Sequence, residues 1–262
     1  MATKKKKNRA DYIFKDQINQ ALIKLPGQLN GSAFNIENLN KCEIKIFDYT
    51  NQILVDDCKD CIFIIGPVQN SIFFRNCTAC KIAVICNQFR LSNCKDLKIK
   101  LFTTTDPAIE DSDDLEFGPY NVCYPLLDQQ IIKADTDLSI NYYRKVYDHT
   151  PSLDENKKHY RFCEIGETQV LQINIEGVEA KDPPNPQILG ALYNFETFAE
   201  NSSDISLPLA KSKEDALRQE AELIYQKNFQ NDIAFDELTK EENKLNSDIY
   251  SNSILDKDSK VD

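Results

Sequence analysis

The sequence predicts an all-β fold, a parallel β-helix, because one seven-residue pattern is repeated five times between residues 34 and 120. The step from one copy to the next is 19, 19, 17 and 18 residues. A repeat of this length indicates stacked units, since one such unit cannot bury its apolar face alone. The copies span residues 36–42, 55–61, 74–80, 91–97 and 109–115.

The columns of the repeat indicate how each unit folds. Its first, seventh and ninth positions hold apolar residues or cysteine in every copy, and this period of two is typical of strands with one face inward. The third position is always Asn or Asp, whose side chains bond to nearby backbone and suit tight corners. Each copy is therefore predicted to be one coil, paired with its neighbours about 4.8 Å away. The corner column, predicted to form an asparagine ladder, is Asn38, Asp57, Asn76, Asn93 and Asp111.

The cysteines are predicted to belong to the core. Nine of them, with no evident secretory signal, indicate free thiols in a reducing compartment, so we expect a cytoplasmic protein. Cys58, Cys61, Cys77 and Cys80 do match the spacing of a zinc ribbon. However, the seventh column also accepts leucine, as at Leu97, and leucine cannot bind zinc. Small buried thiols are thus favoured over a metal site.

The chain is expected to have three parts. Residues 1–28 form a basic segment and a cap for the open end of the stack, and residues 29–182 form the β-helix domain. Within that domain, residues 124–151 are predicted to fold back along the coils, and residues 170–175 to add a last strand. Dense prolines after residue 182 predict a boundary, followed by a Pro-rich linker and acidic tail over residues 183–262.

The tail carries most of the net charge. From residue 191 onward there are sixteen acids and eight bases, a net of −8 within the whole chain's −11. Helical spacing predicts one amphipathic helix around residues 213–228, and residues after 250 are predicted to be disordered. Either a solvated acidic extension or a docking helix fits this composition, and the former is favoured.

Several classes of function find no support in the motifs. There is no Gly-rich phosphate loop, no H-E-x-x-H and no G-x-S-x-G, so we expect no cofactor and no autonomous hydrolase. No run approaches eighteen apolar residues, so no transmembrane segment is expected. Ala2 stands where N-terminal acylation requires glycine. No nucleic-acid partner is expected either.

The outward side of the array holds the candidate site. Alternation sends every second side chain of a strand to solvent, and on adjacent coils this predicts one patch. An exposed aromatic beside charged side chains favours a protein-binding surface, although a charge ladder that only stabilises the sheet fits as well. The patch consists of Phe73, Arg75, Gln88, Arg90, Glu110 and Asp56.

Several runs resemble the tubulin-binding cofactor C domain, and within that family the retinitis pigmentosa 2 branch. The resemblance covers roughly residues 10–151. Its most specific stretches are Ile65-Gly66-Pro67-Val68, Ser71-Ile72-Phe73-Phe74-Arg75-Asn76-Cys77 and Cys86-Asn87-Gln88-Phe89-Arg90.

The resemblance implies a right-handed β-helix and a GTPase-activating protein, an enzyme activator and not itself an enzyme. Its partner would be a GTP-loaded Arf-like small GTPase, to which Arg90 would supply an arginine finger in trans, with Gln88 beside it at the nucleotide. Glu110 matches an acidic residue that contacts the GTPase. The implied setting is the trafficking of lipidated proteins to cilia, which adds the cilium or basal body to the expected location.

Two positions differ from the family pattern. Asn87 stands where close relatives have a second glutamine, and His149 stands where they have an aromatic residue that packs on the GTPase. Both are expected at the partner-binding surface, where they would alter affinity or partner choice. Two alternatives stay open: a tubulin-folding component acting on GTP hydrolysis by β-tubulin, and a non-catalytic adaptor that only recognises the GTP-loaded state. A bland scaffold also fits, since fold does not entail function.

Overall fold

The computed structural model describes residues 8–154, 157–163, 169–178 and 183–193. A 3₁₀ turn at Arg9–Tyr12 precedes the strands, and the helices are α1 (Leu127–Lys133) and α2 (Pro186–Leu192). The strands are β1 (Ile13–Ile18), β2 (Ala21–Lys24), β3 (Phe34–Asn40), β4 (Glu43–Ile46), β5 (Ile53–Asp56), β6 (Ile62–Arg75), β7 (Thr78–Ser92), β8 (Lys95–Thr103), β9 (Ala108–Glu110), β10 (Asp113–Pro119), β11 (Val122–Cys123), β12 (Tyr147–Asp148), β13 (Tyr160–Phe162) and β14 (Leu171–Gln172).

The strands stack in parallel as a β-helix, which confirms the predicted fold. One face runs β1-β3-β5-β6-β7-β9-β12 and another runs β2-β4-β6-β7-β8-β10-β13. The long strands β6 and β7 belong to both faces because each bends at a corner, where their pairing shifts register between Ile65 and Ser71. The first of these faces, from β5 to β12, is called the site face below.

The predicted apolar columns fill the interior of the coils. The first column, from Ile36 to Ile109, is at most 2% exposed at every position. Aromatic rings stack from coil to coil, with ring centroids 5.4 Å apart for Phe63 and Phe74 and 5.8 Å for Phe74 and Phe89. Burial of such large side chains is the main favourable term in folding. The core therefore gives the site face a rigid backing.

The cysteine columns lie in this core, as predicted. Cys58, Cys61, Cys77 and Cys80 are each at most 1% exposed. Each thiol donates to the backbone carbonyl two residues earlier, as Cys61 does to the Lys59 oxygen at 3.1 Å. The thiols thus serve as small core residues whose polar atom is satisfied inside its own coil.

The corner column adopts left-handed backbone. Asp57, Asn76 and Asn93 have φ of 56°, 54° and 53°, a region that Asn and Asp tolerate better than most residues. Asn76 Nδ2 donates to Asp57 Oδ1 at 2.9 Å, and Asn93 Nδ2 donates to Asn76 Oδ1 at 2.9 Å. These bonds confirm the predicted ladder.

The N-terminal segment is a coil of the stack and not a separate cap. Strands β1 and β2 pair in parallel with β3 and β4. Asp16 has φ of 55° and accepts from Asn38 Nδ2 at 2.7 Å, so it occupies the same corner as the repeat. The β-helix therefore begins before residue 29. Its repeat is disguised there because an end coil needs fewer apolar positions: Gln20 stands where the next coil has Cys42.

A second apolar cluster covers the outer side of the other face. It joins Ile64, Phe102 and Tyr120 of the coils to residues of β11, α1 and α2. Tyr124 donates to Gln130 Oε1 at 2.8 Å, and Gln130 Nε2 donates to the Phe47 carbonyl at 2.8 Å. The predicted return of the chain along the coils is thus confirmed.

This cover explains one glycine of the family-like motif. A Cβ at Gly66 would lie 2.6 Å from the Tyr124 hydroxyl oxygen and 2.7 Å from the Asp48 carbonyl oxygen. Both distances are shorter than van der Waals contact, and the second atom is backbone, which cannot move aside cheaply. Only glycine therefore fits between the coil and its cover.

The C-terminal part adds two further pairings. Strand β13 continues the stack beyond β10, and β14 pairs with β11 in a small sheet of its own, where the predicted last strand lies. Beyond the prolines, Asn185 N donates to Asp128 Oδ2 and the Tyr193 hydroxyl donates to the Val122 carbonyl, both at 2.8 Å. The chain still packs on the domain at residues 183–193, so these residues are not a free linker.

The exact domain boundary remains a prediction. The lysine run at residues 4–7, the predicted helix at 213–228 and the residues after 250 lie outside the described residues. Among the described residues, no helix combines the length and apolarity needed to cross a bilayer.

Candidate functional site

The register of the site face places the candidate residues in two neighbouring rows. One row holds Leu54, Phe73, Arg90, Ala108 and Tyr147, each the direct partner of the next. The parallel row is Lys15, Glu37, Asp56, Arg75, Ser92 and Glu110. From β5 to β12 the first row is therefore apolar or aromatic on both sides of a single arginine. The second row is charged except at Ser92 and continues onto β3 and β1.

Arg90 stands on the surface of a buried strand segment. Its side chain is exposed, while its neighbours Phe89 and Leu91 are 0% and 2% exposed. Its Nη2 donates to Gln88 Oε1 at 2.9 Å. Because the two inward neighbours are packed in the core, the backbone at Arg90 is held while the guanidinium stays free to meet another molecule.

A concavity of about 410 Å³ surrounds this guanidinium. Phe73, Gln88, Arg90, Glu110 and His149 all contribute to its walls, so the structure brings together five of the eight predicted site residues. Thr105, Asp106 and Ala108 form the adjoining wall. The concavity is open to solvent, which suits insertion into a partner better than enclosure of a small molecule.

Glu110 lies in the concavity but forms no bond with Arg90. Among the hydrogen bonds and ion pairs of the described residues, none joins these two side chains. Its carboxylate is exposed and faces solvent beside the arginine. Glu110 therefore does not orient Arg90 through a direct bond, and contact with a partner remains its predicted role.

Arg75 and Asp56 lie one step along the face and neutralise each other. Arg75 Nε and Nη2 donate to the two carboxylate oxygens of Asp56 at 2.5 and 2.6 Å. This bidentate bond raises the pKa of Arg75 above its usual value. The Arg75 guanidinium also lies 5.5 Å from the ring centroid of Phe73. Arg75 and Asp56 line a second, adjacent concavity. The predicted patch is thus two connected surfaces.

Asn87 does not face the concavity. It is half-buried, and its side chain Oδ1 accepts a hydrogen bond from the Thr104 hydroxyl at 2.6 Å. Its backbone carbonyl accepts from the hydroxyls of Thr103 and Thr105 at 2.9 and 2.8 Å. Asn87 therefore has an internal role in the free protein, and its contact with a partner stays a prediction. The run of three threonines that begins at the last residue of β8 is the sequence feature that could have indicated the internal role.

His149 reaches the concavity from β12. Its backbone N donates to the Ile109 carbonyl at 2.9 Å, and its ring lies edge-on to Tyr147 with centroids 4.6 Å apart. Tyr147 is 59% exposed and was not among the predicted site residues, although alternation from His149 would place it on the same side of the strand. Together the two rings form an aromatic rim.

Hydrogen bonds fix this rim to the coils. Asp148 accepts from the Thr150 backbone N at 3.0 Å and lies 2.9 Å from His159 Nδ1. The Thr150 hydroxyl accepts from the Asp111 backbone N at 2.7 Å. The segment 147–150 is thereby tied to the same coils that carry Glu110, so the rim and the concavity form one surface.

Part of this chain is similar in sequence to known proteins. Residues 31–149 match the family model described as Tubulin binding cofactor C. Tubulin-specific chaperone C of Homo sapiens is 29% identical over 135 residues, which cover 52% of this chain and 39% of that protein. Protein XRP2 of Mus musculus is 37% identical over 141 residues, which cover 54% of this chain and 41% of that protein. The chain thus spans about two fifths of the length of these relatives.

Tubulin Binding Cofactor C from Leishmania major aligns with a TM-score of 0.44 at 19% sequence identity, over 66% of this chain and 99% of that chain.

Proposed function

We propose that the protein activates GTP hydrolysis on a partner GTPase with Arg90 as an arginine finger, on the basis of the match of residues 31–149 to the Tubulin binding cofactor C family model. The observation that carries the proposal is the exposed Arg90 guanidinium, which among the described residues bonds only to the neutral amide of Gln88 and is set in an open concavity. The protein is then an enzyme activator, and the bond-breaking chemistry belongs to its partner.

The chemistry of phosphoryl transfer explains why an arginine is required. Negative charge on the transferred phosphoryl group is stabilised by a planar guanidinium that bonds two oxygens at once. Such a finger is worth about 10³ to 10⁵ in rate. Lysine carries the charge but lacks the planar fork. Gln88, bonded to Arg90 Nη2, holds one edge of the guanidinium and leaves its other nitrogens for the phosphate oxygens.

The mounting of Arg90 meets a second requirement, since a finger must arrive with small positional error. The strand segment that carries it is paired on one side with β6 and on the other with β9. The buried rings of Phe89 and Phe74, with centroids 5.8 Å apart, pack beneath it. This support favours presentation of a preformed finger.

For the partner we propose a GTP-loaded Arf-like small GTPase, in the trafficking of lipidated proteins to cilia. The support is the likeness to protein XRP2 and the stretches around Gly66, Phe73 and Arg90. The rows on either side of Arg90 fit a protein surface, because an aromatic rim and an exposed arginine are typical of the centre of an interface.

A tubulin-folding role is the second candidate. It is favoured by the similarity to proteins named tubulin-specific chaperone C. The same finger would then act on GTP hydrolysis by β-tubulin. A non-catalytic adaptor is less well supported, because both Gln88 and Arg90 are present and bonded to each other in an exposed position.

Reconstitution separates these candidates. Single-turnover GTP hydrolysis is measured with a panel of Arf-like GTPases, and in parallel with tubulin and the other tubulin-folding cofactors. We expect stimulation of at least one Arf-like GTPase and preferential binding to its GTP-loaded form over its GDP-loaded form. Stimulation only in the tubulin assay would support the second candidate. GTP-selective binding without stimulation in either assay would support the adaptor.

A further inference from the structure

Asn87 occupies a corner between two ladders of the β-helix. The pairing of β7 with β8 ends at Cys86 and Thr103, and its pairing with β9 begins at Arg90 and Ala108. The corner lies just before the two residues proposed to act on the partner's nucleotide. Whatever fixes the backbone at Asn87 therefore also sets the direction in which Gln88 and Arg90 leave the core.

Three consecutive hydroxyls converge on this one residue. The Thr103 and Thr105 hydroxyls lie within hydrogen-bond distance of the Asn87 carbonyl oxygen, at 2.9 and 2.8 Å. The Thr103 hydroxyl has a second acceptor, the Thr105 carbonyl oxygen at 3.1 Å, and the shorter contact is the one to Asn87. Thr104 donates to the side-chain oxygen of Asn87 at 2.6 Å. The corner is thus held by side chains in a position where the regular ladder gives way.

Thr103 is itself fixed by hydrogen bonds on the interior side of the corner. Thr103 is 0% exposed, and its backbone N donates to Asn141 Oδ1 at 3.1 Å. Asn141 Nδ2 donates to the Leu101 carbonyl at 3.0 Å, and its Oδ1 also accepts from the Tyr143 backbone N at 3.2 Å. These groups are buried, where a satisfied polar network is rigid and a broken one is unfavourable.

We infer that Thr103 and Thr105 are positioning residues for the Arg90 finger. Their hydroxyls fix the Asn87 carbonyl, and the carbonyl fixes the plane of the Asn87–Gln88 peptide because that peptide is planar. Gln88 then leaves the backbone in one direction, and its Oε1 accepts from Arg90 Nη2 at 2.9 Å. The inference rests on the proposed function, but the hydrogen-bond chain it invokes exists in the protein without a partner.

The side chain of Asn87 belongs to the same hydrogen-bond network. Its amide oxygen accepts the third hydroxyl, so a longer side chain at this position would displace Thr104 or leave it unpaired. Asn87, which differs from the family pattern, is thus bonded to the three threonines. Asn87 and the threonines together support the strand segment that carries Arg90.

The decisive variant is Thr103→Val, because Thr103 is fully buried and cannot touch a partner. Valine keeps the shape and removes the hydroxyl. We expect stimulated single-turnover hydrolysis to fall about tenfold, the size of one lost neutral hydrogen bond, with unchanged affinity for the GTP-loaded partner. Thr103→Ser should restore the rate. The control is Thr78→Val, an exposed threonine at the start of β7, the strand that carries Arg90, and it should leave the rate unchanged.

Side-chain NMR makes the test independent of any partner. The order parameter of the Arg90 Nε–Hε bond should fall in Thr103→Val and Thr105→Val, and stay at the wild-type value in Thr78→Val. If Thr103→Val unfolds, Thr105→Val carries the same comparison. Wild-type rates and wild-type Arg90 order in both folded variants would overturn the inference. If instead Arg90→Ala also retains full stimulation, it is the proposed function that fails.

Discussion

Arg75 and Arg90 lie on neighbouring strands of one face, yet within the described part of the chain only Arg75 is paired with a carboxylate. Arg75 forms a bidentate bond with Asp56 at 2.5 and 2.6 Å, whereas the partner of Arg90 there is the amide oxygen of Gln88 at 2.9 Å. A paired guanidinium must break that pairing before it can bind a phosphate, and an unpaired one need not. The face therefore presents one structural arginine and one available arginine.

The first prediction concerns the structural arginine. Arg75→Ala should lower the free energy of unfolding by about 1 kcal/mol, because the ion pair is bidentate but lies at the surface, with 47% of the Arg75 side chain and 19% of the Asp56 side chain exposed. Stimulated hydrolysis should stay within about threefold of wild type, since Arg75 lies outside the concavity around Arg90. Denaturant unfolding and single-turnover assays measure the two quantities. Loss of stimulation as complete as that of Arg90→Ala would assign the finger role to Arg75 instead.

The second prediction concerns the aromatic rim. His149→Phe should raise affinity for the GTP-loaded partner about three- to tenfold, because a phenyl ring buries apolar area without desolvating a ring nitrogen. The ring already packs edge-on against Tyr147, so the replacement keeps its neighbour. Titration calorimetry gives the affinity, with Arg161→Ala, on β13 of the other face, as the control variant. Unchanged or weaker binding would show that the partner contacts the imidazole through its polar atoms.

The third prediction concerns a buried hydroxyl. In the described part of the chain, the Tyr120 hydroxyl is buried and has no hydrogen-bond partner. Tyr120→Phe removes this unsatisfied group and should raise the free energy of unfolding at neutral pH by about 1 kcal/mol. Thermal and urea unfolding measure the change. A clear loss of stability would mean that the hydroxyl is satisfied in solution, for example by an internal water.

The same residue predicts a dependence on alkaline pH. Burial raises the pKa of Tyr120, Tyr124 and Tyr193 well above the usual value. The unfolded chain loses these protons near pH 10 while the folded chain keeps them, so the unfolded state binds fewer protons there. Stability should be fully present below about pH 10 and decline above it, and Tyr120→Phe should make the decline shallower. A flat profile up to pH 11 would contradict this.

The fourth prediction concerns thiol reactivity. Of the nine cysteines, eight are buried and only Cys163 is partly exposed. A soluble thiol reagent should therefore modify about one thiol quickly in the native protein and the others only on unfolding. Cys163→Ser should abolish the fast phase. Rapid labelling of Cys61 or Cys80 in the native state would show that the coils open locally.

The repeat made most of the fold predictable. Columns such as Ile36 to Ile109 and Asn38 to Asp111 encode the inward faces and the corners directly, because every coil needs the same residue types there. The first coil could not be predicted from the repeat, because Gln20 interrupts a core column at the end of the stack. The sequence of the cover formed by α1, β11 and α2 has no repeat. Its packing on Tyr120 and Phe102 therefore could not be predicted from a pattern.

The candidate site was predictable to a similar degree. Alternation alone placed Phe73, Arg90 and Glu110 on one side of adjacent strands. It did not show that Asp56 neutralises Arg75, or that Asn87 turns inward, because both depend on side-chain geometry at a particular register and corner. Tyr147 joined the site through a two-residue strand too short to be recognised from its sequence.

The measurement that bears most directly on the central claim is single-turnover GTP hydrolysis by the partner GTPase with wild type and Arg90→Ala. Arg161→Ala, an exposed arginine on β13 of the other face, is the matched control. We predict that Arg90→Ala binds the GTP-loaded partner normally and loses about 10³-fold or more in stimulated rate, while Arg161→Ala behaves as wild type. Undiminished stimulation by folded Arg90→Ala would contradict the account.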